Sequence, residues 1–224
     1  MSKKSPRKPN YYYEAKTPNQ EKYLELIDEK RIVIATGPAG SGKSFLALGK
    51  ALDLLYKKNH NGGVSRIVLM RPAVEMVGEK LGALPGSADE KISPYMFPLL
   101  DNLQHIVDKG TVEGLVSDDR IHAFPIAHVR GITLRSSFTI IDEAQNCLPS
   151  QLKCILTRMD DNSKVVLTGD LEQTDIKKNN GLEDALNRIG RIKEVGVINF
   201  TENDIVRGEL IKKIIRAYRK KLNK

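Results

Sequence analysis

One glycine-rich run constrains this chain of 224 residues more than any other feature. It has a glycine, four intervening residues, and then glycine, lysine and serine, which is the pattern of a phosphate-binding loop. In such a loop, backbone N–H groups point inward at phosphate oxygens, and the helix that follows adds the positive charge of its N-terminus. The run therefore predicts a nucleoside phosphate site, formed by Gly37, Pro38, Ala39, Gly40, Ser41, Gly42, Lys43 and Ser44.

The segments on either side of the loop suit this role. Residues 31–36 are short and β-branched, which predicts a buried strand, and apolar residues at helical spacing predict a helix over residues 45–55. We expect Lys43 to reach the β- and γ-phosphates of a bound nucleotide. The Ser44 hydroxyl would take one coordination position on Mg²⁺.

A second chemical centre follows a buried strand over residues 138–141. Asp142 and Glu143 come directly after this strand, at the sheet edge where parallel α/β proteins bind ligands. A carboxylate there can hold Mg²⁺, which predicts a metal role for Asp142, and Glu143 can orient an attacking water. Residues 164–170 predict a further buried strand that ends at the same sheet edge, where Gln173 can sense the γ-phosphate.

Strands alternate with helices along the chain, which predicts a three-layer α/β fold of the P-loop NTPase type with a mainly parallel central sheet. We expect a disordered basic tail over residues 1–16 and a single domain over residues 17–224. Residues 73–103, with three glycines and three prolines, predict an irregular segment. A closing amphipathic helix is predicted over residues 204–222.

Composition excludes several classes of protein. Runs of eighteen apolar residues are absent, so we expect no membrane partner. Cys147 and Cys154 are spaced for neither a zinc site nor a disulfide framework, which favours reduced thiols in the cytoplasm. The net charge of +8 lies at the ends, with +4 over residues 1–10 and +7 over residues 205–224. Such ends fit either a polyanionic partner or an ordinary soluble tail and helix terminus.

Two further features leave alternatives open. The tyrosines Tyr11, Tyr12 and Tyr13 can stack on nucleic-acid bases or pack against the edge of the domain. Gln20 precedes the phosphate-binding loop, and its amide offers both a donor and an acceptor to an adenine base. It fits an ordinary surface glutamine equally well.

The chain resembles the PhoH family of P-loop ATPases. The resemblance covers about residues 17–218 and rests on the phosphate-binding loop together with four further motifs. These are Leu81-Gly82-Ala83-Leu84-Pro85-Gly86, Asp142-Glu143-Ala144-Gln145-Asn146, Thr168-Gly169-Asp170 and Gln173. Because this family is similar to the first RecA-like domain of superfamily 1 helicases, the resemblance implies a RecA-like fold.

The resemblance also implies roles for single residues. It implies adenine recognition by Gln20, Mg²⁺ coordination by Ser44 and Asp142, water activation by Glu143 and γ-phosphate sensing by Gln173. Arg207 matches a late arginine motif of the family and becomes the candidate arginine finger, with Arg130 as the second candidate. Family members usually carry an arginine where this chain has Ile132.

The resemblance further implies a hexameric ring that acts on RNA, in a bacterial cytoplasm or in that of a phage host. We therefore expect a Mg²⁺-dependent ATPase, coupled to RNA or single-stranded nucleic acid as a helicase-like motor. In this hypothesis a neighbouring subunit supplies the arginine finger, and residues 73–103 form the subunit interface or pore loops. The alternative is a nucleotide-controlled switch that regulates a partner such as a nuclease without unwinding.

Overall fold

The computed structural model describes residues 9–57, 63–72, 88–129, 133–176 and 180–219. Within these ranges six strands form one sheet in the order β3-β2-β4-β5-β1-β6, and all five strand pairs are parallel. The predicted α/β class with a parallel central sheet is thus confirmed. The strands are β1 (Ile32–Thr36), β2 (Arg66–Arg71), β3 (Ile121–Pro125), β4 (Ser137–Ile141), β5 (Lys164–Gly169) and β6 (Val195–Asn199).

Helices cover both faces of the sheet, as three layers require. Alternate strand residues point to opposite faces, so that Val33 packs in one apolar core and Ile34 in the other. The first core contains side chains of α1 to α4, and the second contains side chains of α5 and α6. The helices of the described ranges are α1 (Pro18–Glu29), α2 (Lys43–Tyr56), α3 (Ala88–Gln104), α4 (Lys109–Ser117), α5 (Pro149–Leu156), α6 (Gly181–Ile189) and α7 (Glu209–Arg219).

Both ends of α1 are held by side chains. Thr17 caps the first turn by accepting a hydrogen bond from the N–H of Gln20 at 3.3 Å. At the other end, the Lys164 ammonium donates to the carbonyl oxygens of Ile27, Asp28 and Lys30 at 2.7–2.8 Å. Burial lowers the pKa of Lys164, and nearby Asp28 opposes that shift. Because Lys164 begins β5, these bonds attach α1 to the sheet.

The prediction of an irregular segment over residues 73–103 was wrong for its second half. Residues 88–104 form α3, although Pro94 and Pro98 lie within it. A proline inside a helix removes a hydrogen bond and costs about 3 kcal/mol. The buried side chains of Met96, Leu99 and Leu103, at helical spacing, offset that cost by packing in the first core.

This helix also changes the expected interface. Met96 belongs to the range 73–103 that is predicted to form the subunit interface or pore loops, yet it lies in the core of its own chain, whereas Phe97 is 63% exposed. Residues 73–87, which include the motif over residues 81–86, lie outside the described residues.

The closing helix begins later than predicted. Residues 202–204 form a short 3₁₀ turn, and α7 starts at Glu209, after Gly208. The reason is the Asp204 carboxylate, which accepts hydrogen bonds from the N–H of Thr201 and from the side chains of Thr17 and Asn19. These bonds hold the backbone at Asp204 in a loop that contacts α1. Residues 220–222 lie outside the described residues.

The segment before α1 packs on the domain as far as it is described, from residue 9 onward. The hydroxyl groups of Tyr11 and Tyr13 both donate to the Asp53 carboxylate on α2. A Cβ atom built at Gly49 would lie 2.3 Å from the Tyr13 ring, so this ring rests directly on the helix backbone. Tyr12 is 69% exposed. Packing is thus the role of two tyrosines, and stacking on bases stays possible only for Tyr12.

Cys147 and Cys154 are free thiols, and burial raises the pKa of Cys147 to about 12. Among the helices that the structure describes, none has the length and apolar character needed to cross a membrane.

We predict that Tyr13→Phe lowers the free energy of unfolding by about 1–2 kcal/mol, because a half-buried hydrogen bond to a carboxylate is lost. Urea denaturation measures the change. Tyr12→Phe is the matched control, because the Tyr12 hydroxyl donates only to the exposed side chain of Glu14. Equal stabilities of the two variants would contradict the packing role of Tyr13.

Candidate nucleotide site

The phosphate-binding loop connects the end of β1 to the first turn of α2, as the sequence predicts. Gly37, Gly40 and Gly42 have φ angles of 128°, 80° and 84°, in a region that residues other than glycine rarely adopt. A Cβ atom at Gly37 would also lie 2.3 Å from the carbonyl oxygen of Phe200, which follows β6. The loop therefore requires glycine at this position for both its backbone angles and its close packing.

Lys43 folds back over the loop that precedes it. Its ammonium donates to the carbonyl oxygens of Gly37 and Pro38 at 2.7 and 2.8 Å, and to the Ser41 hydroxyl at 3.2 Å. The buried Tyr23 hydroxyl donates to the carbonyl oxygen of Lys43 at 3.2 Å. The first residue of α2 is thus held through both its side chain and its backbone.

Three oxygen-bearing side chains meet beside the loop. The Ser44 hydroxyl donates to Asp142 Oδ1 at 2.6 Å, and the Thr168 hydroxyl donates to the same oxygen at 2.7 Å. Ser44 comes from α2, Asp142 follows β4, and Thr168 lies in β5, the strand between β4 and β1. Ser44 and Asp142 are thus brought together. Thr168 was not predicted as a site residue, although its place in the next parallel strand was a usable signal.

Glu143 has a φ angle of 53°, which lies in the left-handed region. Its two carboxylate oxygens have different partners. Arg71 Nη2 at the end of β2 lies 3.3 Å from Oε1, and Gln145 Nε2 donates to Oε2 at 2.6 Å. Sequence reasoning assigned no role to Arg71 or Gln145. Arg71 was identifiable only as the last residue of a strand next to β4.

Gln173 lies on the loop after β5, with an exposed side chain. Its N–H donates to the carbonyl oxygen of Asp170 at 3.1 Å, and its own carbonyl oxygen accepts from Gln145 Nε2 at 3.2 Å. The loop is therefore attached to the segment that carries Glu143.

Part of the phosphate-binding loop and both acids of the second centre border one cavity of about 250 Å³. Among the described residues that line it, three have basic and three have acidic side chains. The basic ones are Lys43, Arg71 and Arg207, and the acidic ones are Asp142, Glu143 and Asp170. Gln173 also lines this cavity, so that the predicted loop, metal, water and sensor residues share one opening.

Gln20 supports the phosphate-binding loop through a buried hydrogen bond. Its side chain is 2% exposed, its Nε2 donates to the carbonyl oxygen of Ser41 at 2.9 Å, and its Oε1 accepts from the N–H of Lys16 at 2.6 Å. Gln20 also borders a second cavity that adjoins the first. Its amide donor and acceptor thus each have a partner within the chain, and Gln20 lies next to the phosphate-binding loop.

Arg207 lies against the phosphate-binding loop of its own chain. The N–H of Val206 donates to the carbonyl oxygen of Gly40 at 3.0 Å, and a Cβ atom at Gly40 would lie 3.1 Å from Arg207 Cγ. Arg130 and Ile132 lie outside the described residues. Of the two candidate fingers, Arg207 is the one that the structure describes, and it borders the cavity from the same chain.

The Asp204 carboxylate holds the turn that carries Arg207. Burial acts to raise the pKa of Asp204, but hydrogen bonds from Asn19, Thr17 and Thr201 outweigh it, and the pKa lies below its ordinary value. A lowered pKa stabilises the fold above the ordinary pKa of an aspartate, and this stabilisation is lost as the pH falls through the folded-state value. The turn is therefore held best at neutral pH.

Comparison with known proteins extends these observations. A family model described as PhoH-like protein matches residues 13–219. The PhoH-like protein of Mycobacterium tuberculosis strain H37Rv is 43% identical over 205 residues, which are 91% of this chain and 57% of that one. The PhoH-like protein of Bacillus subtilis is 41% identical, over 92% of this chain and 63% of that one. Protein PhoH of Escherichia coli K12 is 35% identical, over 91% of this chain and 57% of that one. The chain thus spans about three fifths of the length of these relatives.

Solved structures with a similar arrangement include two helicases. The Pif1 helicase from Candida albicans is 16% identical, with a TM-score of 0.41, over 83% of this chain and 39% of that one. Bacteroides Pif1 bound to single-stranded DNA is 20% identical, with a TM-score of 0.38, over 83% and 41%.

We predict that Gln20→Leu lowers the free energy of unfolding by about 1–3 kcal/mol, because the buried carbonyl oxygen of Ser41 loses its donor. Urea denaturation of the protein without nucleotide measures this change. Lys22→Leu introduces the same side chain at an exposed position of α1 and should stay within about 0.5 kcal/mol of the original protein. An unchanged stability of Gln20→Leu would contradict the supporting role.

Proposed function

The chain belongs to the family of PhoH-like proteins, and from this premise and the geometry of its site we propose that it hydrolyses ATP with Mg²⁺. The observation that carries the proposal is the meeting of Ser44, Asp142 and Thr168 beside the phosphate-binding loop, with Glu143 next to them. Coarser support comes from the P-loop architecture itself. The two bonds to Asp142 join the loop that binds phosphate to the strand end that carries the acids.

The residues beside the loop fit Mg²⁺. This ion prefers oxygen ligands and is usually held by one or two protein groups together with substrate phosphates. Asp142 Oδ1 and the Ser44 hydroxyl are such oxygens, with Thr168 adjacent to both. When bound, Mg²⁺ would neutralise charge on the β- and γ-phosphates. The three acidic side chains of the cavity supply the negative charge that makes a cation favourable there.

Lys43 and the loop bind the phosphates in this proposal. The Lys43 ammonium has carbonyl and hydroxyl partners in the loop, and phosphate oxygens carry more negative charge than those groups. An incoming triphosphate would therefore draw the ammonium away from them. Backbone N–H groups of the loop and the N-terminus of α2 would contribute further positive charge.

Glu143 acts on the attacking water. Its carboxylate accepts from Gln145 at one oxygen and lies 3.3 Å from Arg71 at the other, and Glu143 borders the cavity. An ionised carboxylate can accept a hydrogen bond from water and orient it toward the γ-phosphate. Gln173 lies on the same rim and is proposed to sense that phosphate.

Arg207 neutralises the charge that develops on the γ-phosphate. Its attachment to Gly40 through Val206 favours a contribution within one chain, in contrast to the expected contribution from a neighbouring subunit. Hydrolysis by a single chain then needs no partner. The hexameric ring stays a prediction, but Arg207 does not require it as a source of the arginine finger.

Coupling to RNA or single-stranded nucleic acid is the second part of the proposal. The polar face of α7 carries Lys212 and Lys213, and the chain as a whole has a net charge of +8. Positive charge gathered on one element attracts a phosphate backbone without regard to base sequence. We therefore propose α7 as the element that contacts the polyanionic partner.

The alternative function is a nucleotide-controlled switch that binds a protein, such as a nuclease. One observation favours it, which is the exposure of the apolar side chains of α7. Leu210 is 69% exposed, and Ile211 and Ile214 are exposed as well. A protein partner would bury these side chains, whereas nucleic acid would contact mainly the lysines.

We predict that the chain hydrolyses ATP only with Mg²⁺ and that single-stranded RNA increases kcat. Glu143→Gln should lower kcat by about 10²–10⁴-fold while ATP still binds, because water is no longer oriented but the phosphate site is intact. Steady-state hydrolysis and equilibrium binding of ATP measure the two effects. RNA stimulation that survives high salt would contradict phosphate-backbone binding, and turnover that ignores RNA would favour the switch.

We predict that Arg207→Ala lowers kcat by about 10³-fold, because the transition-state charge loses its cation. Arg191→Ala removes an exposed arginine outside both cavities and serves as the matched control. Steady-state hydrolysis at several protein concentrations measures the effect, and the rate per chain should not depend on concentration.

Mixing Arg207→Ala with Glu143→Gln separates the two sources of the arginine. If each chain uses its own Arg207, the mixture stays inactive. If a neighbouring subunit supplies it, a Glu143→Gln chain completes the site of its Arg207→Ala neighbour and activity returns. Recovery of activity would therefore contradict the contribution within one chain.

A further inference from the structure

Gln145 is a buried side chain near the cavity that makes three hydrogen bonds. It is 1% exposed and lies in the short 3₁₀ turn after Glu143. Nε2 donates to Glu143 Oε2 at 2.6 Å and to the carbonyl oxygen of Gln173 at 3.2 Å, while Oε1 accepts from the N–H of Asp170 at 3.1 Å. One buried amide thus joins the water-orienting carboxylate to the loop after β5.

The chemistry of these three bonds demands an amide. Glu143 and the carbonyl oxygen of Gln173 are both acceptors and need N–H donors, whereas the N–H of Asp170 needs an acceptor. An amide supplies two donors and an acceptor at once. A glutamate at this position would keep the acceptor but would place a second carboxylate against Glu143, and a leucine would satisfy none of the three groups.

The neighbouring backbone leaves room for this amide. A Cβ atom built at Gly169 would lie 2.4 Å from Gln145 Oε1 and 2.7 Å from the Leu182 side chain. Any residue larger than glycine at the end of β5 would therefore displace Gln145. Gly169 has an ordinary φ angle, so this contact, and not the backbone conformation, explains the glycine.

We propose that Gln145 is a positioning residue that sets the Glu143 carboxylate and couples it to the loop of residues 170–173. The inference rests on the proposed function, because it assigns Glu143 to the attacking water. Gln145 itself does not line the cavity and acts through Glu143. A shift of the loop, such as one that follows contact of Gln173 with a γ-phosphate, moves the amide and with it the carboxylate.

The left-handed backbone of Glu143 makes such support necessary. A residue of this type with a φ angle of 53° is held in a sparsely populated conformation, which surrounding contacts must maintain. On the far side, Arg71 lies 3.3 Å from the other carboxylate oxygen and has a partly exposed side chain. The shorter bond, at 2.6 Å, comes from Gln145, which is 1% exposed, and this makes Gln145 the stronger determinant of where the carboxylate points.

The experiment compares three substitutions with a control in the full-length chain. Gln145→Leu removes all three bonds, Gln145→Glu keeps only the acceptor for Asp170, and Gly169→Ala displaces the amide without changing it. Gln104→Leu replaces an exposed glutamine at the end of α3 and is the control. For each variant we would measure kcat, the dissociation constant of a slowly hydrolysed ATP analogue in the presence of Mg²⁺, and the rate of hydrogen exchange at the Asp170 amide.

We expect kcat to fall on the order of 10²-fold in all three substitutions, because a displaced catalytic group loses its alignment. In the two Gln145 substitutions the dissociation constant of the analogue should change by no more than about twofold, since the three bonds of the Gln145 side chain go to Glu143, Gln173 and Asp170. Exchange of the Asp170 amide should rise about tenfold in Gln145→Leu but stay slow in Gln145→Glu, which retains the acceptor. The control should match the original protein throughout.

Two outcomes would overturn the inference in distinguishable ways. If Gln145→Glu keeps the original kcat, donation to Glu143 does not position the carboxylate, and the inference alone fails. If the original protein shows no Mg²⁺-dependent hydrolysis that Glu143→Gln removes, the proposed function fails, and the role of Gln145 fails with it. Circular dichroism identifies a variant that does not fold, and Gly169→Ala then provides the independent comparison.

Discussion

The hydrogen bond from Ser44 to Asp142 joins two segments 98 residues apart, and the rest of the site depends on it. It exists because β5 lies between β1 and β4, with all three strands parallel and in register. Their carboxyl ends therefore meet at one edge, where the phosphate-binding loop, Thr168 and Asp142 become neighbours. Without this strand order, the same motifs would be separate pieces of chain with no common chemistry.

Around this bond the site has an outer shell that links its parts. Gln20 and Tyr23 of α1 hold the loop and the first residue of α2, so a helix that precedes the loop in the chain also supports it in space. Asp204 performs the same task on the other side, because it anchors the turn that brings Arg207 to Gly40. The described residues that border the cavity include both acidic and basic side chains, which suits a ligand that arrives as an anion with a cation.

Much of this was predictable, and the failures have physical causes. The strands and the loop carry strong local patterns, and both acids follow a buried strand, so their positions were predicted correctly. The segment of α3 was misjudged because Pro94 argues locally against a helix, whereas burial of Leu99 and its neighbours decides the outcome. The roles of Arg71 and Gln145 have no local signal, since each depends on a partner that the sheet brings close.

The sequence by itself determined the chemistry of the parts: a glycine-rich loop suited to phosphate, a carboxylate suited to Mg²⁺, and a second carboxylate suited to water. Residue type and spacing carry that information, because the loop and its helix form locally. Only the tertiary structure decided how the parts relate. It brings Arg207 to the loop of its own chain, turns Gln20 onto Ser41 and connects Glu143 to the Gln173 loop through Gln145. Those relations arise from strand order and burial, which residues distant in sequence determine together.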